Sequence, residues 1–165
     1  MTALKSRIFV EKRPEFRTEA ESLRRELNSN LGLDIRSLRL LCVYDLFGFT
    51  PELIERSSYR VFGEPATDTV SDTVETGGMP YLAVECLPGQ FDQRAHSAEE
   101  CVRLIEPSAE IEISSSRLMI FDESVGEEEM KRISKYCINA VEARRKDLDP
   151  VSYTHLRAHE TVLDL

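Results

Sequence analysis

Residues 81–105 read YLAVECLPGQFDQRAHSAEECVRLI, which indicates a strand, a polar loop and a helix in that order. The run Tyr81–Cys86 predicts a strand. The helix is predicted to begin at a capping box, Ser97-Ala98-Glu99-Glu100, in which two side chains satisfy free backbone N–H groups. Its apolar stripe then follows at helical spacing: Ala98, Cys101, Val102 and Ile105.

The same order of elements occurs near the start of the chain. Ser6–Lys12 (SRIFVEK) predicts a strand. Thr18-Glu19-Ala20-Glu21 predicts a second capping box, at the start of a helix that ends between Asn28 and Gly32. The predicted apolar stripe of that helix is Ala20, Leu23, Leu27 and Leu31.

Each unit is followed by a second strand and a second helix. Leu38–Tyr44 predicts a buried strand, and Thr50-Pro51 predicts the cap and first position of a short helix. In the second half the corresponding features are the strand Leu118–Phe121, its lead-in Glu110–Ser114, the capping box Ser124–Glu127, and the stripe Met130, Ile133 and Cys137. The polar segment Gly63–Gly78 between the halves predicts either an edge strand or a loop.

The two halves can be aligned with one another. Val10-Glu11 and Pro14 match Val84-Glu85 and Pro88 at an offset of 74, while Val43-Tyr44-Asp45 resembles Ile120-Phe121-Asp122 at an offset of 77. One half alone would leave a sheet face and an edge open. We therefore expect an α+β fold in which two strand–helix–strand–helix, ferredoxin-like halves pair about a pseudo-twofold axis. Their antiparallel or mixed sheet would carry the helices on one face.

Composition restricts the class of protein. The chain has 165 residues, 41% of them hydrophobic and 31% charged, with a net charge of −9. This size and balance predict one globular domain. The acidic charge argues against nucleic acid or an anionic membrane surface as a partner. No apolar run approaches the ~20 residues of a membrane span, and the N-terminus lacks a signal-type apolar stretch, so we expect a cytoplasmic protein.

The C-terminal segment 150–165, PVSYTHLRAHETVLDL, has neither a helical nor an alternating period. Val151–Glu160 resembles the translated adapter of transposase-based sequencing libraries. We therefore expect a domain at 1–149, a disordered, non-native tail at 150–165, and a natural protein that continues past Asp149. The spacing of His155 and His159 would suit a metal on a helix. A flexible tail is the favoured interpretation.

Few motifs of known chemistry occur in the sequence. No phosphate-binding glycine motif and no nucleophile elbow occurs in the sequence. The four cysteines, Cys42, Cys86, Cys101 and Cys137, have no C-x-x-C spacing and predict reduced, buried side chains without a metal.

Two pairs of residues could do chemistry if the fold brought them together. Cys101 and His96 could form a thiol–imidazole pair, although the apolar stripe favours a core thiol at Cys101. Glu11 and Glu85, equivalent in the repeat, could form an acid–base pair. An open-face position, or an ion pair with Lys12 or an arginine, is favoured for these glutamates.

One dense polar run lies between the predicted strand and helix of the second half. It offers a flexible glycine, several hydrogen-bonding side chains and a lone aromatic ring, which is typical of a surface that packs on something. We expect this loop to be the functional surface, without any catalytic residue. Its members are Pro88, Gly89, Gln90, Phe91, Asp92, Gln93 and Arg94.

This run also carries a resemblance to a known family. LPGQFDQRAHSAEECVRLI is similar to part of the N-terminal domain of phosphoribosylformylglycinamidine synthase in its long single-chain form. Supporting segments are RIFVEK at 7–12, VFGEP at 61–65 and YCINAVEAR at 136–144. The resemblance covers about residues 5–149. His96, Ala140 and Ala143 depart from the family's acidic residue, proline and serine.

The resemblance implies a place within a larger ligase. The family's enzymes use ATP, magnesium and glutamine to amidate formylglycinamide ribonucleotide in purine biosynthesis. Their N-terminal domain is similar to a dimer of a small subunit, packs on the synthetase core and helps shape the path for ammonia. The ATP and magnesium site and the glutaminase lie downstream of this part, so the fragment is expected to hold no cofactor and to be inactive alone. Its partners would be the synthetase and glutaminase domains of the same chain, and the Pro88–Arg94 loop is the candidate contact with the synthetase domain, near substrate.

Two other classes remain open. A regulatory domain with paired ferredoxin-like halves would bind a small molecule, such as an amino acid, between them. Such sensors use a glycine at the strand-to-helix turn, and only the second half has one, Gly89, where the first half has Glu15.

A small acylphosphatase-type enzyme would need an arginine-bearing glycine loop after the first strand, which Lys12-Arg13-Pro14-Glu15 does not provide.

Overall fold

The computed structural model describes residues 5–146 as one antiparallel sheet and the helices packed on it. The expected α+β class is confirmed. The expectations for the tail, including His155 and His159, lie outside the described residues. In chain order the elements are β1 Lys5–Lys12, α1 Thr18–Leu31, β2 Leu38–Phe47, α2 Pro51–Ser57, β3 Asp68–Ser71, β4 Tyr81–Cys86, α3 Gln93–Ile105, β5 Glu112–Phe121, α4 Glu127–Cys137 and β6 Ala143–Lys146.

The six strands lie in the order β3-β1-β2-β5-β4-β6, and every neighbouring pair is antiparallel. This order is symmetric, because each half contributes an edge strand, a middle strand and one of the two central strands. The centre of the β2–β5 ladder lies next to the pair Cys42 and Arg117. The connectivity is therefore that of two equivalent halves closing one sheet, as the sequence predicts.

The element bounds and the strand register together show how the halves correspond. The helices α1 and α3 begin 75 residues apart, at Thr18 and Gln93, and this offset takes Cys42 of β2 to Arg117 of β5. The same offset places β3 on β6. Val10 pairs with Cys42 and Val84 pairs with Arg117, which confirms the predicted offset of 74 for the first strands. The predicted offset of 77 is wrong, because Asp45 lies within β2 whereas Asp122 follows β5.

All four helices pack on one face of the sheet, in agreement with the prediction. On β2 this face carries the even-numbered residues, and two apolar clusters lie on it. One cluster contains Tyr44 and Leu46 under α2 and α3, and the other contains Leu38 under α1 and α4. On the opposite face a third cluster is packed by Val74 and Met79 from the β3–β4 connection and by Tyr81 of β4. It consists of Phe9, Leu41, Val43, Ala83, Leu118 and Ile120.

The strands extend further than their apolar runs. β2 continues through Asp45 to Phe47, because the Asp45 carboxylate is buried against the Arg7 guanidinium, with 2.5 Å between Asp45 Oδ1 and Arg7 Nε. Of the two interpretations of Gly63–Gly78, the edge strand is confirmed by β3, which pairs with β1. The sequence prediction missed β6, a short basic strand that pairs with β4.

The three predicted capping boxes are wrong in position. Thr18 is the first helical residue of α1, and Glu21 bonds to the Arg24 guanidinium instead of the helix end. The α3 helix begins at Gln93, so Ser97 lies within it. The α4 helix starts after Gly126, whose backbone N–H donates to Glu129 at 3.0 Å. The Thr50-Pro51 start of α2 is confirmed, with the Thr50 hydroxyl accepting from the Leu53 N–H.

Candidate functional site

The loop after β4 begins with a tight turn. The Gln90 N–H donates to the Leu87 carbonyl at 2.9 Å, and Gly89 has a φ of 91°. Proline followed by a residue with positive φ is the pattern of a type II turn. Gly89 is therefore required by the backbone here, since a side chain at this φ would be strained.

Asp92 ends the loop and ties it to the sheet. Its Oδ1 accepts from the Ala95 N–H at 3.0 Å and thereby caps α3. Its Oδ2 accepts from the backbone N–H of Ser115 on β5 at 2.8 Å, and the Ser115 hydroxyl donates to the same carboxylate. This earlier cap is why α3 begins at Gln93 instead of near Ser97.

Phe91 stands out at the tip of the loop, with 67% of its surface exposed. Its ring lies 5.3 Å from the His96 ring, centroid to centroid. The Leu87 N–H donates to the Glu142 carbonyl at 3.0 Å, so the turn that leads into β6 lies beside the loop. That turn exposes Val141 at 74%, and we call Phe91 and Val141 together the apolar tip.

The structure divides the seven predicted site residues between two roles. Asp92 turns inward as an anchor, whereas the other six are exposed. Gln93 and Arg94 belong to α3 and not to the loop. Arg94 lies on the other side of the anchor from Phe91 and lines a cavity on the helix face of the sheet.

This cavity, the axial cleft, lies over the centre of the β2–β5 ladder and measures about 150 Å³. The sequence did not predict this cavity, because its residues come from seven separate stretches of the chain and share no motif. Cys42 and Tyr44 of β2 line it together with Arg117 of β5. The remaining polar and charged lining residues are Lys12, Arg17, Glu19, Asp68 and Arg94.

Two titratable groups on the floor of the axial cleft, the Tyr44 phenol and the Cys42 thiol, have raised pKa values. Burial raises the pKa of the Tyr44 phenol, and the neighbouring Cys42 thiol adds to this, while the Arg94 guanidinium opposes it. Burial also raises the pKa of the Cys42 thiol, and Arg94 again acts in the opposite direction. Both groups are therefore neutral near pH 7, and the phenol is available as a hydrogen-bond donor.

The charged walls of the cleft are partly paired. Lys12 Nζ lies 3.0 Å from Asp68 Oδ1, and Arg117 Nη2 lies 3.6 Å from Glu19 Oε2. Among residues 5–146, no carboxylate lies within 4.0 Å of the Arg94 guanidinium. Arg94 thus faces Cys42 and Tyr44 without an ion pair.

The other predicted chemical pairs do not form. Cys101 is exposed, which corrects the prediction of a core thiol, because α3 buries Ala95, Ala98 and Val102 on its inner face. His96 Nε2 lies 3.4 Å from Glu100 Oε2.

The two repeat glutamates bind arginines, as the favoured interpretation predicts. Glu11 Oε1 lies 2.8 Å from Arg39 Nη2, and Glu85 Oε2 lies 2.8 Å from Arg144 Nε. They lie on β1 and β4, which are separated by the two central strands, so they cannot act as an acid–base pair.

The remaining cysteines also differ from expectation. All four thiols are free, but Cys86 is exposed and Cys42 and Cys137 are only half-buried. Within residues 5–146, no group of three or more histidine, cysteine, aspartate or glutamate side chains could hold a metal ion. In the same part of the chain no helix combines the length and apolar character that crossing a membrane requires.

Comparison with known protein families, with curated proteins and with solved structures finds no significant match to this chain.

Proposed function

We propose that residues 5–146 form a scaffold domain of a phosphoribosylformylglycinamidine synthase, which packs on the synthetase core and helps shape the path for ammonia. The observation that carries the proposal is the symmetric sheet, in which β2 and β5 pair along their whole length. Two covalently joined half-sheets are what a fused dimer of a small subunit would produce. The sequence resemblance to that family supports the same assignment.

The apolar tip is the proposed docking contact. Phe91 and Val141 expose large apolar side chains on two turns that a backbone hydrogen bond holds together. Burying an aromatic side chain at the centre of an interface is a common source of binding free energy. The Asp92 anchor holds the loop in place before binding, which lowers the entropy lost on docking.

Assembly in trans tests the proposal. The purified chain is mixed with a synthase of this family that lacks its own N-terminal domain, and glutamine-dependent amidation is measured. We expect the mixture to recover activity, and we expect the Phe91→Ala variant to weaken assembly by at least tenfold. Leu104→Ala is the matched control, because Leu104 is 83% exposed on α3 and lies outside the apolar tip.

The chain alone is expected to hydrolyse neither ATP nor glutamine. ATP-dependent turnover by the isolated chain would contradict the proposal. So would a failure of the mixture to bind or to recover activity while the N-terminal domain native to that synthase does both.

A regulatory domain that binds a small molecule between its halves is the second candidate. The axial cleft favours it, since the cleft lies where the two halves meet. The position of Gly89 weighs against it, because the equivalent residue of the first half is Glu15, within a short helical turn at Pro14–Phe16. Specific binding of an amino acid by the chain, without binding to a synthetase core, would favour this candidate.

A further inference from the structure

We propose that the axial cleft binds a small doubly charged oxyanion, of the size of a single phosphoryl group. This inference goes beyond the scaffold role and does not depend on it, because the cleft lies entirely within residues 5–146. It rests on charge, on available donors, on size, and on a difference between the two halves of the fold.

The cleft has the opposite sign of charge to the chain as a whole. It is lined by four basic residues and two acidic ones, whereas the chain carries a net charge of −9. A concave surface with an excess of one sign of charge raises the local concentration of ions of the other sign. The basic residues are Lys12, Arg17, Arg94 and Arg117.

Arg94 is the group best placed to hold the anion. Its guanidinium lies beside the cleft floor without a carboxylate partner within 4.0 Å among the described residues. A guanidinium offers five N–H donors in a planar fork that matches phosphate oxygens. The protonated Tyr44 hydroxyl, on a residue only 6% exposed, adds a neutral donor on the floor.

Arg117 of β5 supplies a second cation to the cleft. Its contact with Glu19 spans 3.6 Å and both side chains are more than half exposed, so the ion pair is weak. An incoming oxyanion can therefore replace Glu19 as the partner of the Arg117 guanidinium with little loss of stability.

The volume of the cleft limits the ligand. A cavity of about 150 Å³ has room for a molecule of about the size of benzene. This is enough for one phosphoryl group, whereas pockets for larger organic ligands begin near ~300 Å³.

The two halves of the fold carry different charges at corresponding positions in the cleft, whereas the next positions along the helices are alike. The offset of 75 between the bounds of corresponding elements places Glu19 of α1 opposite Arg94 of α3 in the alignment, and Cys42 opposite Arg117. Ala20 and Ala95, the next helix positions, are both buried apolar residues. The second half therefore contributes Arg94 and Arg117 at positions where the first half has Glu19 and Cys42.

The test is an NMR titration of the full chain with inorganic phosphate at constant ionic strength. We expect saturable shifts of the amides around Cys42, Arg94 and Arg117. Arg94→Gln and Arg117→Gln should each weaken phosphate binding by at least tenfold. Arg25→Gln should leave the affinity unchanged, because the Arg25 side chain is 73% exposed on α1 and does not line the cleft.

A second readout uses the cysteines of the chain itself. Saturating phosphate should slow the alkylation of Cys42, measured by peptide mass spectrometry, and leave the exposed Cys101 unaffected. Non-saturating shifts, an equal loss of affinity in Arg25→Gln, or unchanged alkylation of Cys42 would each overturn the proposal. Saturable binding of glycine in the cleft without binding of phosphate would also overturn it.

Discussion

Asp92 links two elements through a single carboxylate. It caps the first turn of α3 and binds Ser115 of β5, which lies 23 residues further along the chain. The half-buried position of Asp92 keeps water from replacing these bonds easily. This residue therefore fixes both the start of α3 and the position of the loop that carries Phe91.

We predict that Asp92→Ala lowers the free energy of unfolding by about 2–3 kcal/mol, since it removes a helix cap and buried hydrogen bonds. Chemical denaturation of the full chain measures this value. Gln93→Ala is the control, since Gln93 is exposed and its change should stay within ~0.5 kcal/mol. Equal effects of the two substitutions would contradict the anchoring role of Asp92.

Asp122 makes stability depend on acid pH. Burial disfavours its ionised form, but hydrogen bonds from Ser124 and from the backbone N–H groups of Ser37 and Arg36 outweigh this and lower the pKa from 3.8 to about 2. Because the folded-state pKa is the lower one, the stabilisation is present above pH ~4 and is lost as the pH falls towards 2. Asp122 thereby ties the α1–β2 connection to the end of β5.

We expect Asp122→Asn to cost about 1–2 kcal/mol of unfolding free energy at pH 7 and progressively less as the pH approaches 2. Unfolding curves measured between pH 7 and pH 2.5 give the difference from the parent chain. Asp34→Asn serves as the control, because the Asp34 side chain is 90% exposed. A difference from the parent that stays constant with pH would contradict this explanation.

At the scale of elements, β6 is held by charge more than by apolar contact. Lys146 Nζ lies 2.6 Å from Asp45 Oδ2 and 3.4 Å from Glu85 Oε1. Burial alone would raise the pKa of the Asp45 carboxyl, but the guanidinium of Arg7 and the ammonium of Lys146 together lower it. The basic edge strand is thus fixed to the centre of the sheet by a buried carboxylate.

We predict that Lys146→Gln accelerates hydrogen exchange of the β6 amides and lowers the unfolding free energy by about 1–3 kcal/mol. The loss is partial, because Asp45 keeps its partner Arg7. Arg145→Gln, at the exposed neighbouring position, should change neither quantity by a comparable amount. Unchanged exchange of the β6 amides in Lys146→Gln would show that charge does not hold this strand.

The sequence predicts the elements of this fold better than their ends. Periodicity locates α1, α3 and α4, because core-facing positions such as Leu27 and Val102 recur at helical spacing, and the Thr50-Pro51 cap locates α2. The helix starts were misplaced because serine and threonine signal a cap only where the backbone leaves the helix, and Asp92 had already capped α3. β6 was missed because its residues, ARRK, show no apolar alternation and pair through backbone and charge.

In the candidate site, too, local features can be predicted from the sequence and long-range ones cannot. The Pro88-Gly89 turn can be predicted locally, since φ preferences act within a few residues. The axial cleft cannot, because its walls come from separate parts of the chain that only the sheet register brings together. The exposure of Cys101 likewise depends on which face of α3 meets the sheet: the helix buries Ala95, Ala98 and Val102, and Cys101 lies outside that face.

At the scale of the whole molecule, the central claim is that two equivalent halves share one sheet. Both functional proposals need this arrangement: the scaffold role needs a fused pair, and the axial cleft exists only where β2 meets β5. The β2–β5 ladder, from Leu38 opposite Phe121 to Phe47 opposite Glu112, is the structural feature on which everything else depends.

Inter-strand nuclear Overhauser contacts in an isotope-labelled sample measure this ladder most directly. We predict cross-strand contacts between β2 and β5 in antiparallel order, with Cys42 opposite Arg117 and Tyr44 opposite Ser115. An absence of β2–β5 contacts, or contacts in parallel order, would contradict the joined sheet and with it both proposals.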